Sequence, residues 1–211
     1  MRIRLLQTLN TLNPFRFELR PHGCSSRYCR RCGRATGHRI QSALTKVLNT
    51  FKTVRMITFT LNPQLFTSPE SALRYVRKRR CISECMRSLR KAGLLYSNRY
   101  FSVIEWHKRS DMAHFHVLVD AREINQAYIE TRWNCFRPDG SIGDRFGTAR
   151  ITRRLRSILA RYVVKNLVRN CNEVPTWLLD FEGQVPRFSP SRGFFAKRYS
   201  KTSAEPRIVP H

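Results

Sequence analysis

The segment MAHFHVLVD, residues 112–120, contains two histidines two positions apart. Apolar and polar residues alternate in it before a run of branched apolar residues, which is typical of a β-strand. Successive side chains of a strand point to opposite faces, so His114 and His116 share one face and Phe115 lies on the other. Two imidazoles on one face suit a divalent metal, although two unrelated half-buried histidines would give the same pattern.

The preceding residues predict that this strand is half of a β-hairpin. Residues 99–107, RYFSVIEWH, form the other strand, and the basic turn KRSD connects it to residues 113–120. The remaining patterns predict helices over 39–51, 69–92, 124–133 and 153–168, a strand over 54–61 and another reached through 146–152. We therefore expect an α+β fold, an antiparallel central sheet flanked by helices.

Charge is the strongest global feature of the chain. It contains 40 Lys and Arg residues against 14 Asp and Glu residues, a net charge of +26. The basic residues are spread along the whole sequence, which favours a folded surface that contacts nucleic acid. The sequence has neither an apolar run of ~20 residues nor a convincing signal peptide, so we expect a cytoplasmic protein with no membrane partner.

A cysteine-rich segment, HGCSSRYCRRCGRATGH at residues 22–38, predicts a zinc-type loop. Three cysteines follow the spacing C-x4-C-x2-C: Cys24, Cys29 and Cys32. Three thiolates and one imidazole complete a tetrahedral Zn²⁺ site, with His38 as the fourth ligand and His22 as the alternative. Incidental cysteines in a basic loop are the competing interpretation.

A carboxylate on the neighbouring strand predicts a second metal site. Glu105 can face His114 and His116 across the hairpin, and two imidazoles with one carboxylate suit a divalent ion. Positions left for phosphate oxygens favour Mg²⁺ or Mn²⁺. His107 lies on the same face as Glu105 and is the competing third ligand.

The helix over 153–168 carries a candidate nucleophile. Tyr162 and Lys165 are three positions apart and share a helix face. A phenol has an ordinary pKa of about 10, so it is a weak nucleophile at neutral pH unless a neighbouring group activates it. A lysine can do so by stabilising the phenolate or the phosphate. Asn166 follows Lys165 and can orient a substrate. A core tyrosine on an amphipathic helix would show the same spacing.

In this order, the motifs resemble those of the HUH endonucleases. More narrowly, they are similar to the single-tyrosine replication initiation proteins of small single-stranded DNA phages and rolling-circle plasmids. Four segments carry the resemblance: MITFTLNP at 56–63, EWHKRSDMAHFHVLVD at 105–120, RYVVKNL at 161–167 and RFSPSRGF at 187–194. Each motif is weak alone, and the order and spacing make the set specific.

The resemblance implies a domain organisation and a reaction. It implies an HUH nickase domain, RRM-like, over residues 53–185, between an N-terminal extension (1–52) and a basic tail (186–211). It also implies that Tyr162 attacks a DNA phosphodiester at a replication origin, forms a 5′-phosphotyrosine bond and later allows the strand to be rejoined. A host polymerase and helicase would act with the protein in the bacterial cytoplasm.

The resemblance also implies roles for particular residues. The ligands of the catalytic Mg²⁺ or Mn²⁺ would be His114, His116 and Glu105. Lys165 would assist Tyr162, and the residues in contact with single-stranded DNA would be Arg161, Asn166 and Arg192.

Two other functions fit parts of the sequence. One is a related single-tyrosine transposase. The other is a non-catalytic, basic, zinc-containing nucleic-acid-binding protein, which explains the charge and the cysteines but leaves the histidines, Glu105 and Tyr162 without a role. Metal-dependent covalent capture of DNA separates the catalytic functions from the non-catalytic one.

Overall fold

The computed structural model describes residues 30–138, 145–167, 175–179, 185 and 188–195. Its helices are α1 (Arg30–Asn49), α2 (Pro69–Lys78), α3 (Cys81–Lys91), α4 (Gln126–Asn134), α5 (Arg156–Leu167) and α6 (Thr176–Leu179). Its strands are β1 (Val54–Phe59), β2 (Leu95–Trp106), β3 (Ala113–Ala121), β4 (Ala149–Thr152) and β5 (Phe188–Pro190). The strands form one antiparallel sheet in the order β4-β1-β3-β2-β5, so the α+β prediction is confirmed. No described helix has the length and apolarity needed to span a bilayer.

The predicted hairpin is present as β2 and β3, and β3 is the central strand of the sheet. Glu105 of β2 lies opposite His114, whereas His116 lies opposite Thr58 of β1. β3 is buried along almost its whole length because strands pair with both of its edges and helices cover both of its faces. The register on both sides of β3 therefore determines what surrounds the histidines.

Alternating side chains divide the interior into two cores. Ile57 and Phe115 point to the face covered by α2, α3 and α4. Leu118 and Val103 point to the other face, which packs against α1 and α5. The histidines have the same parity as Leu118, so they lie on the α1–α5 face, opposite Phe115, as the alternation predicts.

The single helix predicted over 69–92 is wrong, since the structure has two helices, α2 and α3. Arg80 separates them with a left-handed backbone, φ 52° and ψ 34°. An unbroken helix of this length would extend about 36 Å, more than the roughly 30 Å covered by the nine residues of β3. The break lets both halves place their apolar sides, including Leu73 and Leu89, on the same core.

The N-terminal helix begins earlier than predicted, at Arg30 rather than at 39, so residues 30–38 are helical and not a loop. Cys32 and His38 are consequently six positions apart on α1, a rise of about 9 Å and a rotation of about 240°. These two positions lie on different sides of α1, so the helix disfavours binding of one Zn²⁺ by both Cys32 and His38. The other candidate ligands lie outside the described residues: His22, Cys24 and Cys29. Zinc binding stays a prediction.

Part of the expected C-terminal tail belongs to the folded domain. β5 pairs with β2, and Phe194 is buried with its ring centroid 5.3 Å from that of Phe101. The sheet and its second core therefore extend past residue 185. The other predicted elements are present with shifted ends, as β1, α4, β4 and α5.

A close approach of β4 to the end of β1 depends on Gly147. Thr60 N donates a hydrogen bond to Thr148 O at 2.9 Å, and Trp133 Nε1 donates one to Thr60 O at 2.8 Å. A methyl group at Gly147 would overlap the Thr60 carbonyl and lie 2.9 Å from Trp133 Nε1. We expect Gly147→Ala to lower the free energy of unfolding by about 2 kcal/mol or more, measured by urea denaturation.

Gly93→Ala is the matched control, because Gly93 has φ +68° and nothing within 4 Å of an added Cβ. Its cost should come from the backbone alone, about 1 kcal/mol. If Gly147→Ala unfolds like the unmodified protein, β4 does not approach β1 as described.

Candidate active site

A cavity of about 900 Å³ opens beside α5, on the face of the sheet that carries the histidines. Its walls come from β1, the β2–β3 hairpin, β4 and the part of α5 up to Tyr162. Five of its lining residues are cationic: Lys108, Arg109, Arg150, Arg153 and Arg154. Glu105 is the one carboxylate among the described lining residues. The cavity therefore suits a ligand with several negative charges.

His116 lies at the base of this cavity, where it is 3 % exposed. Its Nε2 lies 2.7 Å from Glu105 Oε2, and its Nδ1 lies 3.0 Å from Thr58 Oγ1. Both ring nitrogens of a buried imidazole are thus satisfied, one from each neighbouring strand. These two contacts fix the plane of the ring.

Tyr162 approaches the same pair of residues from α5. Its hydroxyl donates a hydrogen bond to Glu105 Oε2 at 3.3 Å. Its ring meets the His116 ring edge-on, with centroids 5.2 Å apart and planes at 88°. The structure thus brings together three residues predicted from distant parts of the chain: Glu105, His116 and Tyr162.

His114 lies next to this group and stacks on His107, with ring centroids 5.3 Å apart and planes at 10°. Burial, followed by the neighbouring imidazoles of His107 and His116, lowers the pKa of His114, and Glu105 acts weakly in the opposite direction. The lowered pKa favours the neutral imidazole of His114, which is the form that a metal ligand needs.

The donor groups fit the predicted divalent ion in their chemistry. Within the described residues, no three His, Cys, Asp or Glu side chains already converge as a metal-ligand group. However, Glu105 Oε2 and His116 Nε2 lie 2.7 Å apart, so both atoms could bind one ion. Thr58 contacts the other ring nitrogen, Nδ1, and metal-bound histidines usually have such a hydrogen-bond partner on the nitrogen that does not bind the metal. The stacked pair of His114 and His107 offers the third donor.

Other predicted residues lie away from the cavity wall. Lys165 and Arg161 are exposed on α5, and neither is among the described residues that line the cavity. Arg192 follows β5, at the opposite edge of the sheet from β4. The side chain of Asn166 is outside the described part of the chain.

Sequence reasoning missed Thr58 and Arg150. Thr58 lies on β1 opposite both His116 and Arg150, so all three share the face of the cavity. The available signal was a hydroxyl inside an otherwise apolar strand, MITF, and an arginine in the next edge strand. The strand register that brings these residues together cannot be predicted from the sequence of either strand alone.

Comparisons of the chain with protein family models, with curated proteins and with solved structures find no match. A fold alone does not determine an activity, so the function is inferred from the groups that meet in the cavity.

We expect His114 to titrate below the ordinary histidine pKa of about 6.5 in the metal-free protein, because burial disfavours its cation. The unfolded chain then takes up this proton first, so His114 makes folding less favourable as the pH falls below about 6.5. The measurement is an NMR titration, with the resonance assigned by its loss in His114→Gln. His107→Gln should raise the pKa of His114, and a value at or above the ordinary one would contradict the described environment.

We expect Thr58→Val to lower the free energy of unfolding by about 1–3 kcal/mol, because His116 Nδ1 would be left buried without a partner. Thr58→Ser is the control, since it keeps the hydroxyl and loses only a methyl group. Both variants are compared by urea denaturation. Equal stability of the two would show that the hydroxyl does not hold the ring.

Proposed function

We propose that the protein is a metal-dependent, single-tyrosine endonuclease and strand transferase that nicks single-stranded DNA at a rolling-circle origin. The observation that carries the proposal is the hydrogen bond from the Tyr162 hydroxyl to Glu105 Oε2, 3.3 Å, beside the buried His116. A phenol directed at a carboxylate–imidazole pair inside a cationic cavity is the arrangement that attack on a phosphodiester requires.

The proposed reaction exchanges one phosphate ester for another. The Oη atom of Tyr162 bonds to phosphorus, and the bond from phosphorus to the 3′ oxygen breaks. The phenolic proton has Glu105 Oε2 as its nearest acceptor and finally resides on the released 3′-hydroxyl. The 5′ end stays linked to Tyr162, and attack by a 3′-hydroxyl in the reverse direction rejoins the strand and frees the tyrosine.

The charged walls of the cavity support this reaction electrostatically. Arg150 and Arg154 line the same cavity as Tyr162, and guanidinium groups bind phosphate oxygens in a fixed planar geometry. The residues that would hold Mg²⁺ or Mn²⁺ are His114, His116 and Glu105, and a bound ion would polarise the scissile phosphate. The chain thus surrounds the nucleophile with groups that stabilise an anionic transition state.

Several finer assignments belong to the same proposal. The antiparallel sheet with the histidines on its central strand supports an HUH, RRM-like fold. Lys165 remains the residue proposed to support the phosphate from α5, and the proposed DNA contacts remain Arg161, Asn166 and Arg192. A host polymerase and helicase would extend and unwind the nicked DNA in the bacterial cytoplasm. A structural Zn²⁺ would bind in the N-terminal extension.

The test is covalent capture of DNA. We expect the purified protein, mixed with Mn²⁺ or Mg²⁺ and with single strands tiled along its own replicon, to give a protein–DNA adduct on a denaturing gel. EDTA should abolish the adduct, and Tyr162→Phe should reduce it by at least about a thousandfold, because no other group would attack at that position.

Tyr96→Phe is the matched control, since Tyr96 is 40 % exposed and Tyr162 is 41 % exposed. Removal of that hydroxyl should leave adduct formation unchanged. If the protein binds the strands tightly but forms no adduct on any tile with either metal, the catalytic proposal fails. The non-catalytic nucleic-acid-binding function would then account for the charge of the chain.

A further inference from the structure

Helix α5 exposes an unusual line of apolar side chains. Leu155 is 71 % exposed, and Ile158 and Tyr162 are each 41 % exposed. Leu159 N donates to Leu155 O at 3.0 Å, so Leu155 already follows the helical spacing. At 100° per residue these three side chains lie within about 60° of one another. We refer to Leu155, Ile158 and Tyr162 as the α5 stripe.

The α5 stripe is continuous with the cavity. Ile158 and Tyr162 line it, and Leu155 extends the same surface outward by one turn. The inner side of the helix is different, because Leu159 and Val163 are buried in the core. Leu159 and Val163 thus attach α5 to the core, whereas the stripe leaves part of its apolar surface facing solvent, although Tyr162 also contacts Glu105 and His116.

A row of cations follows the outer edge of the stripe. Arg161 and Lys165 are exposed and lie on the side away from the core, about 60–120° and about 20–80° around the helix from the members of the stripe. Arg154, just before the helix, is exposed and lines the cavity mouth. Apolar and cationic groups thus run side by side along α5 towards Tyr162.

We propose that the α5 stripe is the docking surface for unpaired bases next to the scissile phosphate, and that the cationic row holds the phosphates of the same strand. The inference rests on the proposed function for the position of that strand. Bases of a single strand expose flat apolar faces, which apolar side chains can cover, whereas a duplex hides them in its stack. The stripe would therefore make the protein select single-stranded over double-stranded DNA at the cleavage site.

A second copy of the chain is the other occupant to consider, and two observations disfavour it. The stripe consists of three side chains, much less than the roughly 800 Å² per partner that stable interfaces bury. A symmetric contact through α5 would also bring the cationic rows of two chains of charge +26 together. A polyanion removes this repulsion, and another copy increases it.

The test compares binding of DNA with and without bases. Fluorescence anisotropy, in EDTA so that no cleavage occurs, measures the affinity for a labelled single strand of mixed sequence and for an abasic strand of equal length and charge. We expect the unmodified protein to prefer the strand with bases by at least about tenfold. The variant Leu155→Gln with Ile158→Gln should lose most of this preference, because glutamine keeps the helix but not the apolar surface.

Two controls identify the cause of a loss. Leu155→Met with Ile158→Leu keeps the apolar surface and should keep the preference. Arg161→Gln with Lys165→Gln should weaken both strands alike and reduce the salt dependence of binding, because it removes phosphate contacts. Thermal melts verify that each variant is folded.

Three results would overturn the inference. The first is equal affinity of the unmodified protein for the two strands, and the second is an unchanged preference in the glutamine variant. The third is a dimer in sedimentation velocity without DNA, if the glutamine substitutions convert that dimer to a monomer.

The adduct assay tests the proposed catalytic function independently of the base preference. An adduct without a base preference rejects only this inference, and a base preference without an adduct rejects only the proposed catalytic function.

Discussion

The buried imidazole of His116 is the constraint on which the site depends. A polar ring at the centre of a sheet must have partners, and it finds Thr58 on one neighbouring strand and Glu105 on the other. Both partners are set by strand register, and a slip of one residue in β2 would turn Glu105 to the opposite face. The register of the strands therefore determines which residues make up the site.

Packing of α5 positions Tyr162, the proposed nucleophile, relative to that ring. Leu159 and Val163 anchor α5 in the core shared with α1, and Arg156 donates a hydrogen bond to Lys52 O at 3.0 Å near the start of the helix. These attachments leave Tyr162 at the rim, where it reaches Glu105 from above the sheet. A helix packed on a buried core holds a side chain more accurately than a surface loop would.

Periodicity made part of this arrangement predictable. The alternation in β3 correctly placed His114 and His116 on one face, and the strand before it correctly placed Glu105 within reach. The helical pattern around Tyr162 correctly placed this residue on a helix, although not what it contacts. These features are local, since each depends on spacing within one segment.

Features that depend on distant pairings were not predictable in the same way. The break at Arg80 lets α2 and α3 pack on the same core, and no glycine or proline marks it. Thr58 acquires its role only through the register of β1 with β3. The participation of Phe194 in the core requires the chain to return to β2 after a long excursion. Each of these is a tertiary constraint that overrides or lies beyond the local pattern.

The two margins of the sheet limit how molecules of this protein can associate. β5 is three residues long and ends in Pro190, which has no amide hydrogen to offer to an added strand. β4, at the other margin, is four residues long, contains Arg150 and leads directly into Arg153 and Arg154. Short, charged or proline-terminated margins resist edge-to-edge pairing. Within the described part of the chain, neither edge of the sheet therefore favours the addition of a strand from a second copy.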